Sequence, residues 1–195
     1  MSSKKAKKSS RCGVLFLAKC IKRLSKESID NVDIYIHDDD LLNWYVMIHG
    51  SKDSPFEGGS FLSRISFSEK YPQVAPNIYF YTPNGRFNYV GDPTATNGYD
   101  HDGRICLTNT AYHPEEWSQI LKPWHIISQL ITEFETTDRD KWVGIYHINY
   151  GSHSDKMIND IKKKYSKTSH EYNMKDRFIS NILKTFTHVY EGKRV

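Results

Sequence analysis

The chain of 195 residues is 38% hydrophobic and 13% aromatic, which is sufficient for one domain with a sizeable core. Residues 1–26 hold nine of its 27 Lys and Arg residues and no acid, so this segment carries +9, whereas the remaining 18 basic and 23 acidic residues carry −5. This uneven charge excludes a uniformly basic nucleic-acid binder, and the longest purely apolar run, Val14–Ala18, is too short for a signal peptide or for the ~18 to 20 residues of a membrane span.

The three cysteines, Cys12, Cys20 and Cys106, cannot all pair with one another. Their spacing matches no zinc-binding pattern such as C-x-x-C, so no metal site is expected. Unpaired cysteines of this kind are typical of a reduced, intracellular compartment.

The N-terminal segment has two parts. Residues 1–10 are low in complexity and predict a disordered basic tail, whose alternative role is a nuclear-import or anionic-surface signal. From Arg11 to about Ser25, apolar residues recur at helical spacing and predict an amphipathic helix. Its other side carries Lys19, Lys22 and Arg23, which form either a solvated face or a contact for an acidic protein.

Four strands are predicted next, because short segments rich in β-branched and aromatic residues alternate and are separated by turn residues. They are Val32–Ile36, Trp44–Ile48, Ser60–Phe67 and Asn77–Tyr81. Short connections between consecutive strands predict an antiparallel meander. The following residues, 82–101, are rich in Gly and Pro, and such a long irregular segment indicates function or an insertion.

The second half of the chain predicts helices. A strong buried-helix pattern is formed by Ile126, Ile127, Leu130, Ile131 and Phe134. Two further helices are expected at about Asp155–Ser166 and Met174–Tyr190, the latter with one face made of Phe178, Ile182, Phe186 and Val189. The sum is one α+β domain over residues 11–195, with an N-terminal helix, a four-stranded meander, an active-site loop, a central helix and two C-terminal helices.

Cys106 stands out between two apolar residues, Ile105 and Leu107, after a glycine and before a polar turn. This setting favours a thiol at the mouth of a groove, and its alternative is a buried structural thiol. His113 follows seven residues later and precedes Pro114, where it is either a base near the thiol or a cap of the turn.

The motifs together resemble the core signature of ubiquitin-conjugating enzymes. The resemblance extends over about residues 11–190 and is carried by Trp44, His49-Gly50, Ser54-Pro55-Phe56-Glu57-Gly58-Gly59-Ser60-Phe61, Tyr71-Pro72, Ala75-Pro76 and Gly103-Arg104-Ile105-Cys106-Leu107. It implies the α+β fold of that family.

A narrower resemblance is to the branch of this family that works in endoplasmic-reticulum quality control. It is carried by Thr82-Pro83-Asn84-Gly85-Arg86-Phe87, which replaces the usual His-Pro-Asn, and by His113-Pro114-Glu115-Glu116-Trp117 with Pro123-Trp124 beyond. Compared with this branch, we expect an insertion near 88–101, a longer 118–122 segment and no C-terminal membrane anchor.

The resemblance implies that Cys106 accepts activated ubiquitin as a thioester and transfers it to a substrate lysine. Some members of the branch are thought to acylate hydroxyl groups as well, and a base such as His113 would then matter more. Asn84 matches the family's Asn that either stabilises the oxyanion or orders the loop, and its alternative is an ordinary turn residue before Gly85. The chain itself needs no cofactor, because the activating enzyme uses the ATP.

The implied partners are ubiquitin, the activating enzyme, a ligase and a protein substrate, in the cytoplasm or nucleus, or in the host cytoplasm if the source is a virus. A ubiquitin-like modifier remains an alternative to ubiquitin. The family's activating-enzyme contact corresponds to Lys19, Lys22 and Arg23. Its ligase contact corresponds to Gln73, Val74, Pro123 and Trp124, of which Trp124 has core packing as its alternative.

Two other functions remain open from the sequence. One is a catalytically silent family variant that binds ubiquitin or a ligase, although silent variants generally lack the cysteine. The other is an unrelated cysteine hydrolase, in which a paired His base would activate Cys106 to attack an amide.

Overall fold

The structure, a computed structural model, describes residues 3–91, 103–136 and 161–195. Its helices are α1 (Ser3–Leu24), α2 (Pro123–Glu135), α3 (Lys167–Lys175) and α4 (Arg177–Thr185), with a 3-10 turn at Pro114–Glu116 and a π-helical turn at Ile161–Ser166. Its strands are β1 (Val32–His37), β2 (Asp40–His49), β3 (Ser60–Ser66), β4 (Asn77–Phe80) and β5 (Thr187–Glu191).

The strands form one antiparallel sheet in the order β4-β3-β2-β1-β5. In its register, Val46 of β2 lies opposite Ile34 of β1 and Ser63 of β3, and Ser63 lies opposite Phe80 of β4. The predicted four-stranded meander and the α+β class are therefore confirmed, and a fifth strand is added at the β1 edge.

One face of the sheet forms the main core with α1 and α2. Ile34 of β1, Val46 of β2 and Phe61 of β3 are fully buried on this face. They share it because every second residue of a strand points to the same side of the sheet. Helix α2 contributes Phe134, whose ring lies 4.0 Å from that of Phe56. The predicted apolar face of α2 is confirmed, with Ile126, Ile127, Leu130 and Phe134 buried and Ile131 partly buried.

The opposite face of the sheet is covered by α4, which differs from the predicted helix Met174–Tyr190. The helix is interrupted at Asp176, whose carboxylate caps α4 by accepting a hydrogen bond from the backbone N–H of Ile179 at 2.9 Å. Ile179 and Ile182 are buried against Tyr45, Met47 and Leu62, whereas Phe178, which was predicted to share the face, is 43% exposed.

The end of that predicted helix is also wrong, because Thr187–Glu191 form β5 beside β1, with His188 opposite Tyr35. Pairing satisfies the backbone groups at the β1 edge, and this outweighs the helical spacing that placed Val189 on a helix. At the other end of the chain, α1 begins at Ser3, so the helix continues through most of the predicted disordered tail. That stretch contains no Pro or Gly, and Lys and Ala favour helix.

Two predictions lie wholly or partly outside the described residues. The insertion near 88–101 is described only to Gly91, and the predicted helix Asp155–Ser166 only from Ile161. Within the described ranges, every helix is too short or too polar to cross a bilayer.

Candidate active site

Cys106 lies on a short extended segment that pairs with β4. Arg104 forms a bridge with Tyr79, and the backbone N–H of Ile105 donates to the carbonyl of Ile78 at 2.9 Å. Because side chains alternate along extended chain, Ile105 and Leu107 are buried and Cys106 points to the other side, where it is partly exposed. The sulfur is thus held at the surface by two buried anchors.

Gly103 permits the close packing that precedes this segment. Its φ is +71°, and a Cβ atom there would lie 2.3 Å from the backbone nitrogen of Val90. Val90 in turn donates its N–H to the carbonyl of Phe80 at 2.8 Å. Only glycine suits both the positive φ and this contact, so the chain entering the cysteine segment packs directly on residues 89–90.

A tight turn after Cys106 brings His113 back towards the sulfur. The Thr110 hydroxyl donates to the carbonyl of Leu107 at 2.6 Å, and the backbone N–H of His113 donates to the carbonyl of Thr110 at 3.0 Å. Helix α2 fixes the start of the turn, since the Gln129 amide donates to the Thr108 hydroxyl at 2.6 Å. The turn is therefore held by its own hydrogen bonds and by one hydrogen bond from α2.

The result is a contact of 3.0 Å between the Cys106 Sγ and the His113 Nε2. On the other side of the imidazole, Nδ1 lies 3.2 Å from the Oε1 of Glu115 in the 3-10 turn. The Glu115 backbone N–H and its hydrogen bond with His113 hold the pKa of the Glu115 carboxyl below its usual value. A thiol, an imidazole and a carboxylate therefore lie in series at the protein surface.

Asn84 is fully buried in the turn after β4. Its side-chain oxygen accepts hydrogen bonds from the backbone N–H groups of Arg86 and Phe87 at 2.9 and 2.6 Å, and its amide donates to the carbonyl of Thr82 at 3.1 Å. This geometry supports the loop-ordering role of Asn84 among the roles that the sequence left open.

The basic side of α1 lies beside the start of α2. Lys19, Lys22 and Arg23 are exposed, and Arg23 is bound by Glu27 at 3.2 Å. The Arg23 guanidinium also lies 5.4 Å from the centre of the Trp124 ring. Two predicted contact surfaces, that of α1 and that of Pro123-Trp124, are therefore neighbours.

The segment Tyr71–Pro76 is hydrogen-bonded to Trp117 and Leu121, which follow the active-site turn. The Tyr71 hydroxyl donates to the carbonyl of Leu121 at 2.8 Å, and the Trp117 indole N–H donates to the carbonyl of Pro72 at 2.9 Å. Gln73 and Val74 are exposed. Pro123 and Trp124 are buried, which fits the alternative of core packing for their side chains.

Two features of this region were not predicted from the sequence. Glu115 belongs to the segment His113-Pro114-Glu115-Glu116-Trp117, but its spacing predicted no role. Its contact with His113 depends on the 3-10 turn. Ile120 is 76% exposed in the turn before α2, and its place among Gln119, Leu121 and Lys122 gave no signal.

Comparisons with known proteins identify the family and the fold. Residues 16–177 match the family model for ubiquitin-conjugating enzymes. Ubiquitin-conjugating enzyme E2 34 of Arabidopsis thaliana is 32% identical over 120 residues, which cover 58% of this chain and 46% of the relative. Ubiquitin-conjugating enzyme E2 6 of Kluyveromyces lactis is 29% identical over 166 residues, which cover 80% of this chain and 59% of the relative.

Among solved structures, a presumptive ubiquitin conjugating enzyme from Plasmodium yoelii aligns with a TM-score of 0.54 and 22% identity, covering 83% of this chain and 92% of that chain. This likeness shows the fold. The chain spans about half the length of the curated relatives it matches.

Proposed function

The chain belongs to the ubiquitin-conjugating enzyme family, and we propose that it carries ubiquitin as a thioester on Cys106 and transfers it to an acceptor amine or hydroxyl group. The observation that carries this proposal is the 3.0 Å contact between the partly exposed Cys106 sulfur and the His113 imidazole. A sulfur in this position is accessible to an acyl donor and has a proton acceptor beside it.

In the charging step, the Cys106 sulfur attacks the carbonyl carbon of the thioester that joins ubiquitin to the activating enzyme. The Cys106 thiol proton passes to His113 Nε2, a C–S bond forms to Cys106, and the C–S bond to the activating enzyme breaks. The departing thiolate takes up that proton. Two similar thiols exchange, so this step requires a thiolate but no strongly activated one.

In the discharge step, the acceptor nitrogen or oxygen attacks the same carbonyl carbon and its proton passes to His113 Nε2. The C–S bond to Cys106 breaks, and the departing sulfur takes the proton back from the imidazolium. A positioned base of this kind contributes about 10²–10⁴ in rate. A hydroxyl acceptor gains more from it than a lysine, because an unassisted hydroxyl is the weaker nucleophile at neutral pH.

Asn84 acts in this scheme by ordering the turn beside β4. Its side-chain oxygen is already occupied by the backbone N–H groups of Arg86 and Phe87. Direct stabilisation of the oxyanion by its amide stays a prediction, which requires a donor about 2.7–3.1 Å from the developing charge.

The endoplasmic-reticulum quality-control branch is the subgroup that we propose for this chain. Support comes from the combination of residues 82–87 with His113-Pro114-Glu115-Glu116-Trp117, and from similarity to the relative named E2 6. The proposed compartment is the cytoplasm or nucleus, or the host cytoplasm for a viral source, where thiols stay reduced.

The proposed partners follow from the exposed surfaces. Lys19 and Lys22 present an unbalanced positive face to an acidic surface of the activating enzyme, and Arg23 lies at its border with Trp124. Gln73 and Val74 would meet the ligase, and exposed Ile120 adds apolar area next to Leu121, whose carbonyl accepts from the Tyr71 hydroxyl. A protein substrate supplies the acceptor group.

The test is a charging assay with activating enzyme, ATP and ubiquitin, read on a non-reducing gel. We expect a thiol-sensitive adduct that Cys106→Ala abolishes and that the matched control Cys12→Ala, at an exposed cysteine, retains. An absent adduct would instead favour the silent binding variant. Cleavage of a peptide without activating enzyme would favour the cysteine hydrolase.

A further inference from the structure

We propose that Glu115 is a positioning residue, whose carboxylate holds the His113 imidazole in the tautomer that presents an unprotonated Nε2 to the reacting centre at Cys106. This inference rests on the proposed function, since it concerns the same transfer of ubiquitin. It assigns a role to a residue that neither the motif spacing nor the family match identifies.

The geometry places the two contacts of His113 on opposite ring nitrogens. Nε2 lies 3.0 Å from the Cys106 sulfur, and Nδ1 lies 3.2 Å from the Glu115 carboxylate. The backbone around the ring is fixed, because the His113 N–H donates to Thr110 and the His113 carbonyl accepts from the N–H of Glu116 at 3.1 Å. Pro114 adds its fixed φ between the two side chains.

The carboxylate determines the tautomer because it can only accept a hydrogen bond when it is ionised. A glutamate carboxyl with its ordinary pKa is already ionised at neutral pH, and the hydrogen bonds of Glu115 lower its pKa further. Nδ1 must then carry the proton, and the neutral ring has its lone pair on Nε2. The same logic orients histidine in hydrolytic triads, where the third group fixes the tautomer of the base.

The tautomer matters most after charging. The acylated sulfur has no proton, so Nε2 is available beside the carbonyl carbon to accept the proton of the attacking group. In the opposite tautomer Nε2 would carry a hydrogen and could not act as a base. Loss of Glu115 should therefore slow discharge even when Cys106 and His113 are intact.

The size of the effect is limited by solvent. The His113 side chain is 34% exposed and that of Glu115 is 67% exposed, and exposed ion pairs are weak. Among the described residues, the Cys106 thiol and Tyr112, whose ring lies 5.5 Å away, also face the imidazole, and Arg104 lies over the Tyr112 ring. We expect a discharge rate about three- to fivefold lower without the Glu115 side chain.

The experiment uses the 195-residue chain charged with ubiquitin, after the activating enzyme has been quenched, and follows single-turnover discharge to free L-lysine and free L-serine across pH. Glu115→Ala should lower the plateau rate about three- to fivefold. Glu115→Gln keeps an oxygen that accepts from Nδ1–H, so it should restore the plateau rate.

The neighbouring exposed residue gives the matched control, and Glu116→Gln should match the plateau rate of the unsubstituted chain with both acceptors. In a His113→Ala background, Glu115→Ala should cause no further loss. A Glu115→Ala variant with an unchanged plateau rate, or one that slows discharge equally without His113, overturns the positioning role. These failures are separate from failure of the proposed function, which would appear as an uncharged wild-type chain or as unchanged discharge by His113→Ala.

Discussion

Asn84 illustrates how a single buried amide supports the residues around the candidate active site. Its oxygen satisfies two backbone N–H groups that follow it, and its amide satisfies the carbonyl of Thr82. Buried backbone groups that lose such partners keep the cost of desolvation without compensation. The side chain therefore contributes to stability whatever its part in catalysis.

Asn84→Ala should lower the free energy of unfolding by about 1–3 kcal/mol, because Arg86 and Phe87 lose their acceptor. Urea denaturation of the variant and the parent chain measures this difference. Discharge per folded molecule should slow less than about tenfold. Unchanged stability together with a loss of about 10²–10³ in discharge rate would show a direct oxyanion donor instead.

The candidate site could be predicted from the sequence only in part. The setting of Cys106 and its distance along the chain from His113 identified a thiol and a base, but seven residues of separation permit many geometries. The contact depends on the Thr110 hydroxyl bond and on Gln129 of a helix far along the chain, which no local pattern contains. The contact between His113 and Glu115 also depends on the 3-10 turn at Pro114–Glu116.

Helix α4 is the element whose packing most differs from expectation. It buries Ile179 and Ile182 on the sheet face opposite the main core and leaves Phe178 partly exposed. The cap at Asp176 starts this helix anew, whereas the sequence pattern predicted one continuous helix from Met174. The predicted face is confirmed at Ile182 and at Phe186, which packs on the same cluster, whereas Ile179 was not predicted to be buried.

Ile179→Ala should lower the free energy of unfolding by about 2–4 kcal/mol, because it leaves a cavity between α4 and the sheet. The matched control is Met174→Ala, whose side chain is 65% exposed and whose loss should change stability by no more than about 0.5 kcal/mol. Denaturation midpoints of both variants measure the contrast. Equal effects would show that α4 does not pack on the sheet in this way.

Strand β5 was missed because its apolar residues fit helix and strand equally well over so short a segment. Val189 falls at helical spacing from Phe186 and Ile182, yet Thr187, Val189 and Tyr190 are also typical of strands. These residues form a strand because the edge of β1 is open for pairing, and this is a tertiary feature that the local sequence does not contain. By contrast, α2 and strands β1–β4 were predicted well, since each has a periodic pattern and clear boundaries.

At the scale of the whole molecule, Asp33 joins the sheet to the residues after β5. Its carboxylate lies 2.9 Å from His49 Nε2 and 2.7 Å from the Arg194 guanidinium. Burial alone would raise the pKa of Asp33, but the hydrogen bonds from His49 and Arg194 outweigh it, so that the pKa lies below its usual value. The ionised form is thus favoured by folding.

A group with a lowered pKa stabilises the fold above its unfolded pKa, and this contribution is lost as pH falls through the folded value. Asp33→Asn should therefore lower stability at pH 7 by about 1–3 kcal/mol. The difference from the parent chain should shrink below about pH 4. Urea titrations at several pH values measure it, with exposed Asp30→Asn as the matched control. A difference that does not change with pH would contradict the linkage.

The central claim is that Cys106 carries the acyl group, and mass spectrometry of the charged wild-type chain tests it most directly. After reaction with activating enzyme, ATP and ubiquitin, we expect one added ubiquitin that an excess of free thiol removes by acyl exchange, mapped to the peptide that contains Cys106. An adduct on Cys12 or Cys20, one that resists free thiol, or a chain that gains no mass would contradict the claim.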